Sequence, residues 1–355
     1  MTRRSFINAI GTAIPPHDVH GAFIAWAERQ IGEERERALF RRMAERSGIE
    51  HRWSVLAPGP AGASPVDPGG FYAGIAPATS RRMQVYGEEA PRLALAAIAD
   101  LRARTPVEGV THLVVASCTG FTAPGIDQVI AAALGLDEVE RTLVGFMGCY
   151  AAVSALKVAD HIVRADPAAR VLAVTVELSS LHLQESREVE PLLAMLQFSD
   201  GAAAALVTAE ERGFAVEAGF ALSLPASGGL ITWTIGDTGF AMHLSGEVPA
   251  RIGAALHEDA VRAKLLGSWR MDEVDAWAVH AGGRSILDAV EKGLGLAPDV
   301  LADSRGVLAD YGNMSSSTLM FVLHRLLGRP EAEKGVALAF GPGLAVEGFR
   351  FARAG

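Results

Sequence analysis

The sequence predicts an α/β protein whose main unit is built twice. A strand-loop-helix set occurs in two copies, and the helix of each copy stops at the same Leu-Gly-Leu. Half of the 355 residues are hydrophobic and only 21% are charged, which suits a large packed core and argues against disorder. The first copy reads as a strand at 111–117, a loop at Cys118-Thr119-Gly120 and a helix that stops at Leu134-Gly135-Leu136. The second reads as a strand at 274–280, a loop at Ala281-Gly282-Gly283 and a helix that stops at Leu294-Gly295-Leu296. A further turn then opens a helix in each half, at Gly148-Cys149 and at Gly312-Asn313, and an apolar strand closes each unit at 170–178 and 335–340. Units of roughly 150 residues are too long for a solenoid. Two pseudo-symmetric halves, 1–212 and 213–355, are therefore expected, with two similar sheets stacked around buried helices.

The remaining elements follow in order. Thr2-Arg3-Arg4-Ser5-Phe6-Ile7 has the look of a twin-arginine export signal. The apolar stretch behind it is short, carries Asn8 and ends at Pro15-Pro16-His17-Asp18 with no small-residue cleavage site, so 5–14 reads as a buried first strand. Residues 20–47 have helical periodicity and six arginines: Arg29, Arg35, Arg37, Arg41, Arg42 and Arg46. Interleaved glutamates make a solvated face one reading; in the other, Arg42 and Arg46, four apart on one side, meet phosphates together. Residues 56–78 are a Pro-, Gly- and Ala-rich loop, and 79–101 an amphipathic helix.

Composition excludes several classes. A net charge of −9 argues against a general nucleic-acid surface, so an anionic ligand needs a local basic site. No run of 18 or more apolar residues offers a membrane span. Two cysteines, Cys118 and Cys149, make no disulfide framework and fit a reducing cytoplasm. Metal-ligand spacing is absent, as is Gly-x-Gly-x-x-Gly at a strand-helix turn, so neither a metal nor a dinucleotide cofactor is expected.

The chemistry concentrates at 143–157, Leu-Val-Gly-Phe-Met-Gly-Cys-Tyr-Ala-Ala-Val-Ser-Ala-Leu-Lys. Extended structure to Phe146 and helix from Cys149 put the thiol near a helix start, where free N–H groups and the helix dipole favour thiolate. Read alone, Cys149 also fits a small buried residue at a tight joint. Pseudo-twofold symmetry sets Asn313, at the matching helix start, opposite Cys149, and His280 ends the strand beside that helix; open α/β folds place ligands at such points. Taken singly, His280 fits a structural histidine, Asn313 an N-cap, Phe198 a core residue and Gly341-Pro342-Gly343 a turn. Asp200 reads as a turn or cap residue without a catalytic role.

Together, the motifs resemble the type III polyketide synthases, chalcone synthase-like enzymes of the thiolase fold, over nearly the whole chain. The resemblance rests on Ala9-Ile10-Gly11-Thr12-Ala13, Thr111-His112-Leu113-Val114-Val115, Gly148-Cys149, Phe198-Ser199-Asp200-Gly201-Ala202-Ala203-Ala204, His280-Ala281-Gly282-Gly283, Tyr311-Gly312-Asn313-Met314-Ser315-Ser316 and Phe340-Gly341-Pro342-Gly343-Leu344. It implies a thiolase-like fold of duplicated αβαβα layers. Cys149 then corresponds to the acyl-carrying nucleophile, and His280 and Asn313 to the catalytic histidine and asparagine. Phe198 matches the first of two gatekeeper phenylalanines, and Met242 stands at the second. Trp233 stands where plant members have glycine, and Cys118 where several bacterial members have a second cysteine. Arg42 and Arg46 match basic residues that contact coenzyme A phosphates, while Leu39 replaces a third. Gly341, Pro342 and Gly343 fall among the substrate-contacting motifs.

The reaction so implied is iterative decarboxylative Claisen condensation of malonyl-CoA onto an acyl-CoA starter held on Cys149, followed by cyclisation. The substrates are coenzyme A thioesters, no further cofactor is implied, and the expected assembly is a cytoplasmic homodimer. The residue types suit that reaction. A thiolate attacks thioesters well, and a protonated His280 would stabilise it as an ion pair. The enolate oxygen formed on loss of carbon dioxide needs fixed donors, which the His280 imidazole and Asn313 amide supply at roughly 3 to 4 kcal/mol per donor. Decarboxylation removes no carbon-bound proton, so no carboxylate base belongs to the set, and Phe198 gives the malonyl carboxylate an apolar neighbour. Met242 opens the pocket for a long acyl chain whereas Trp233 fills it; an aliphatic starter with two or three extensions, giving an alkylpyrone or alkylresorcinol, is the expected product. A single-turnover ketoacyl-acyl carrier protein synthase III, a cysteine acyl-CoA hydrolase and a non-catalytic scaffold are the competing readings.

Overall fold

Strand β1 (Ser5–Ala13) is the seam of the molecule. The structure, a computed structural model, describes residues 3–60, 62 and 64–355; Met1, Thr2, Ala61 and Ala63 lie outside the described residues, and with them the first residue of the twin-arginine stretch. The arginine-rich region forms two helices, α1 (His20–Gln30) and α2 (Glu34–Glu45), where the periodicity predicted one. The chain turns extended at Ile31, whose side chain is buried, and the following glycine favours neither helix. A two-residue pairing of β2 (His17–Asp18) with β3 (Trp53–Ser54) brackets the pair.

The first unit continues through α3 (Thr79–Arg104), β4 (His112–Ser117), α4 (Ile126–Leu134), β5 (Glu140–Gly145), α5 (Ala151–Ala165), β6 (Val171–Leu178), α6 (Val189–Met195) and β7 (Asp200–Thr208). The second runs β8 (Phe214–Ser223), β9 (Ile231–Gly236), β10 (Gly239–Leu244), α7 (Val248–His257), α8 (Asp259–Leu266), β11 (Ala276–Val279), α9 (Arg284–Leu294), α10 (Ala302–Tyr311), α11 (Ser316–Leu327), β12 (Lys334–Gly341) and β13 (Ala345–Arg353). Both Leu-Gly-Leu signals end their helices in one way. Gly135 (φ 66°) and Gly295 (φ 68°) are left-handed, and the next residue's N–H reaches back to Ala131 and Glu291 respectively, both at 2.9 Å.

Strand pairing repeats as the sequence does. β4–β6 is parallel, and β6–β7 and β7–β1 are antiparallel; β11–β12 is parallel, and β12–β13 and β13–β8 are antiparallel. The halves are not separate sheets, however. Ser5–Ile7 of β1 pairs with Phe214–Val216 of β8, which joins them into one nine-stranded sheet ordered β11-β12-β13-β8-β1-β7-β6-β4-β5.

Period-two alternation turns this sheet into five layers. Val114, Ala116, Ala203 and Ala205 of the first half and Ala276, Ala278, Ala337 and Ala339 of the second pack on α5 and α11 in one central core. The alternate residues face outward, Leu113, Val115, Leu172 and Val174 against α3 and α4, and Trp277, Val279, Val336 and Leu338 against α7 and α9. Alanines line the inner faces because two helices must fit between the half-sheets. Among the described residues, no helix is long and apolar enough to cross a membrane.

Candidate active site

The α5 and α11 helices begin at the same end of the central layer, and there the predicted residues meet. Cys149 lies one residue before the N-cap of α5, His280 directly after β11, and Asn313 and Ser315 directly before α11. All four line one cavity that encloses about 700 Å³ including its mouth. Phe198, Met242, Cys118, Trp233, Gly341 and Pro342 complete the predicted part of that lining. Gly343 does not line it and instead uses its carbonyl to accept from the Ser227 hydroxyl at 3.2 Å.

The turn before Cys149 requires glycine. Gly148 has φ 77°, and a Cβ there would lie 2.4 Å from Pro342 Cδ. Cys118 locks the same residue from the other side: its sulfur accepts the Gly148 N–H at 2.9 Å and donates to the Gly148 carbonyl at 3.3 Å. The second cysteine thus holds the loop that presents the first.

Asn313 is not the cap of α11; Ser315 occupies that position. Asn313 Oδ1 accepts the Ser315 N–H at 2.9 Å, an Asx turn, and Nδ2 donates to the Gly282 carbonyl at 3.2 Å. These two bonds fix the amide plane and leave its second N–H to the Cys149 side of the cavity. Phe198 is tied to the same place, because Asn313 N donates to Gln197 O at 2.8 Å and Ser199 N to Asn313 O at 2.9 Å.

Burial governs the electrostatics. It pushes the Cys149 thiol up to about 12, against the lowering by the Ser315 and Asn313 side chains, and the Ser315 hydroxyl stands 3.8 Å from the sulfur. It pushes the His280 imidazole down to about 3, and both ring nitrogens are buried without a partner. Neither charge is favoured alone, so the ion pair expected from the sequence is opposed by desolvation.

Three residues escaped the sequence reading. Glu177, at the end of β6, accepts from the Cys118 N–H and the Thr119 hydroxyl at 2.9 Å each and from the Ser316 hydroxyl at 2.5 Å, and its burial raises it to about 7. It ties both strand ends to α11 from below the cavity. Ser315 has φ 48°, backbone strain of the kind stored at functional sites. His182 stacks on Phe240 at 4.2 Å and edges Trp233. Only Ser315 lay within a quoted motif; Glu177 and His182 gain meaning from partners far along the chain. Met242 and Trp233, nine positions apart, are direct cross-strand partners in the β9–β10 hairpin, and Trp233 Nε1 donates to the Cys118 carbonyl at 2.9 Å.

Arg42 and Arg46 lie outside the cavity, both exposed on the arginine-rich helix and its C-cap. Arg37 and Arg41 carry ion pairs to Glu34 and Glu28, whereas Arg42 and Arg46 form none among the described residues. The Arg46 carbonyl accepts from Arg284 at the start of α9, which brings that end of α2 beside the helix whose Ile286 lines the cavity.

Residues 2–211 match the family described as chalcone and stilbene synthases, N-terminal domain, and residues 216–353 the C-terminal domain of the same family. A protein of Mycobacterium tuberculosis described as alpha-pyrone synthesis polyketide synthase-like Pks18 is 35% identical over 292 residues, 78% of this chain and 74% of its own. Type III polyketide synthase C of Arabidopsis thaliana is 36% identical over 261 residues, 68% of this chain and 67% of its own. The crystal structure of PKS-I from the brown alga Ectocarpus siliculosus superposes with a TM-score of 0.89 at 29% identity, covering 99% of both chains.

Proposed function

The chain belongs to the chalcone and stilbene synthase family and is a type III polyketide synthase, and from that premise we propose that Cys149 carries the acyl chain while His280 and Asn313 hold the enolate oxygen. The observation that carries this reading is the convergence of Cys149, His280 and Asn313 on one cavity wall. Cys149 passes its proton to His280 and attacks the starter thioester; the C–S bond to coenzyme A breaks and the leaving thiolate takes the proton back from the imidazolium, so coenzyme A departs as the thiol. Malonyl-CoA then enters, and loss of carbon dioxide leaves an enolate whose oxygen accepts from the His280 imidazole N–H and the second Asn313 amide N–H. Its carbon attacks the Cys149 thioester, the C–S bond breaks, and the lengthened chain returns to the thiol for another round. Phe198 keeps water from the malonyl carboxylate.

Arg42 and Arg46, which form no ion pair among the described residues, would in this reading meet the coenzyme A phosphates. Trp233 and Met242 set the depth of the cavity, and an aliphatic acyl-CoA extended two or three times to an alkylpyrone or alkylresorcinol is the product we favour. The Mycobacterium tuberculosis relative is named for α-pyrone synthesis, which supports the pyrone. The working assembly we propose is a cytoplasmic homodimer: β5 ends the sheet with its outer edge unpaired, and Leu143 and Phe121 beside it are 49% and 46% exposed. Mass spectrometry of products from malonyl-CoA and a panel of acyl-CoA starters tests the reading. Pyrones or resorcinols that vanish in Cys149→Ala support it; free acid and coenzyme A alone would point to a hydrolase.

A further inference from the structure

Beside the Cys149 pocket lies a second cavity, enclosing about 880 Å³ including its mouth, and the two share Ser179, Phe198, Trp233 and Met242 as a wall. Its size suits a small-molecule site. Ala22 and Phe23 of α1, Val66 of the long loop and Met195 of α6 make much of its surface apolar.

Among the polar residues of the lining, Arg52 carries the charge. Arg52 is 3% exposed and uses three of its five N–H donors, Nε to His20 Nδ1 at 3.1 Å and Nη1 to the carbonyls of Met195 and Phe198 at 3.1 and 2.9 Å. Nη2 is buried and has no hydrogen-bond partner, and Arg52 forms no ion pair among the described residues. The anions nearest in effect are engaged elsewhere. Asp18 accepts from His51 and from the backbone N–H groups of His20 and Arg52, and Asp200 from Ser180 and the Val55 N–H. Two other polar side chains on the wall are satisfied: the Tyr72 hydroxyl donates to Ser180 O at 2.7 Å, and the two His182 ring nitrogens bond Thr119 O and the Phe240 N–H.

The guanidinium face lies over the Phe23 ring at 4.5 Å, but the two Nη2 donors are left without the hydrogen bonds that offset their desolvation. A carboxylate supplies charge-assisted bonds to those donors, and an alkyl chain on it would cover the apolar walls. We propose that this second cavity binds an aliphatic monocarboxylate, its head on Arg52 Nη2 and its chain along Phe23, Val66 and Met195. Because Nη1 of the same guanidinium holds the Phe198 carbonyl, an occupant bears on the wall that the two cavities share.

The test is calorimetric titration of the intact protein with sodium octanoate and, separately, 1-octanol. One saturable octanoate site per chain is expected, at least about tenfold tighter than octanol. Ala22→Trp and Val66→Trp, which narrow the cavity from two segments without touching Arg52, are each expected to weaken octanoate by about tenfold or more. No octanoate binding, equal binding of acid and alcohol, or unchanged affinity in both filled variants overturns the proposal. The acid-alcohol comparison uses the parent protein, so it stands even if a variant fails to fold. The readout is binding, and its result is independent of whether the chain makes a polyketide.

Discussion

His280 has both ring nitrogens buried and unpartnered, and Cys149 has the Ser315 hydroxyl 3.8 Å from its sulfur. In such a place a thiolate forms only if its proton has somewhere close to go. Replacing the imidazole by an amide removes that destination, so His280→Gln is expected to move the half-maximal pH of Cys149 alkylation by iodoacetamide upward, by about one unit or more. The direction follows from sign: an imidazolium would stabilise the anion, and burial, which already opposes the thiolate, is left uncompensated without it. An unchanged profile would show that the sulfur ionises independently of His280. The meeting of Cys149, His280 and Asn313 at one cavity was legible because each sits at an element end within a motif. Glu177 was not, since its partners Cys118, Thr119 and Ser316 lie 59, 58 and 139 positions away.

Among the elements, the strand-turn-helix joint at Gly148 is tightly constrained. Gly135 and Gly148 are both left-handed, but a Cβ at Gly135 meets nothing within 4 Å whereas at Gly148 it meets Pro342. Gly135→Ala should therefore cost about 1 kcal/mol of backbone strain, and Gly148→Ala more than about 2 kcal/mol with loss of activity. Denaturant midpoints of the two variants separate the effects; equal costs would show that the Pro342 loop yields freely. Leu-Gly-Leu was readable at both helix ends because the left-handed cap is local. The break between α1 and α2 was hidden, since the helical pattern of 20–47 runs through the glycine and only burial of Ile31 decides the turn.

The whole molecule shows its duplication in pairing as well as in sequence, with β4, β6, β7 and β1 answered by β11, β12, β13 and β8. That single sheet was not foreseeable from two similar units, because three pairs between β1 and β8 decide it. The cavities were equally hidden: no local pattern reveals that Arg52 donates to carbonyls 143 and 146 positions on. At this scale β5 is the exposed edge, and sedimentation should find a dimer that Leu143→Glu shifts to monomer; a monomeric parent would contradict the assembly. The central claim is that Cys149 carries the chain. Intact-protein mass spectrometry after incubation with an acyl-CoA starter, without malonyl-CoA, tests it most directly. The parent should gain the mass of one acyl group per chain and Cys149→Ala none; an unmodified parent, or equal acylation of both proteins, would contradict it.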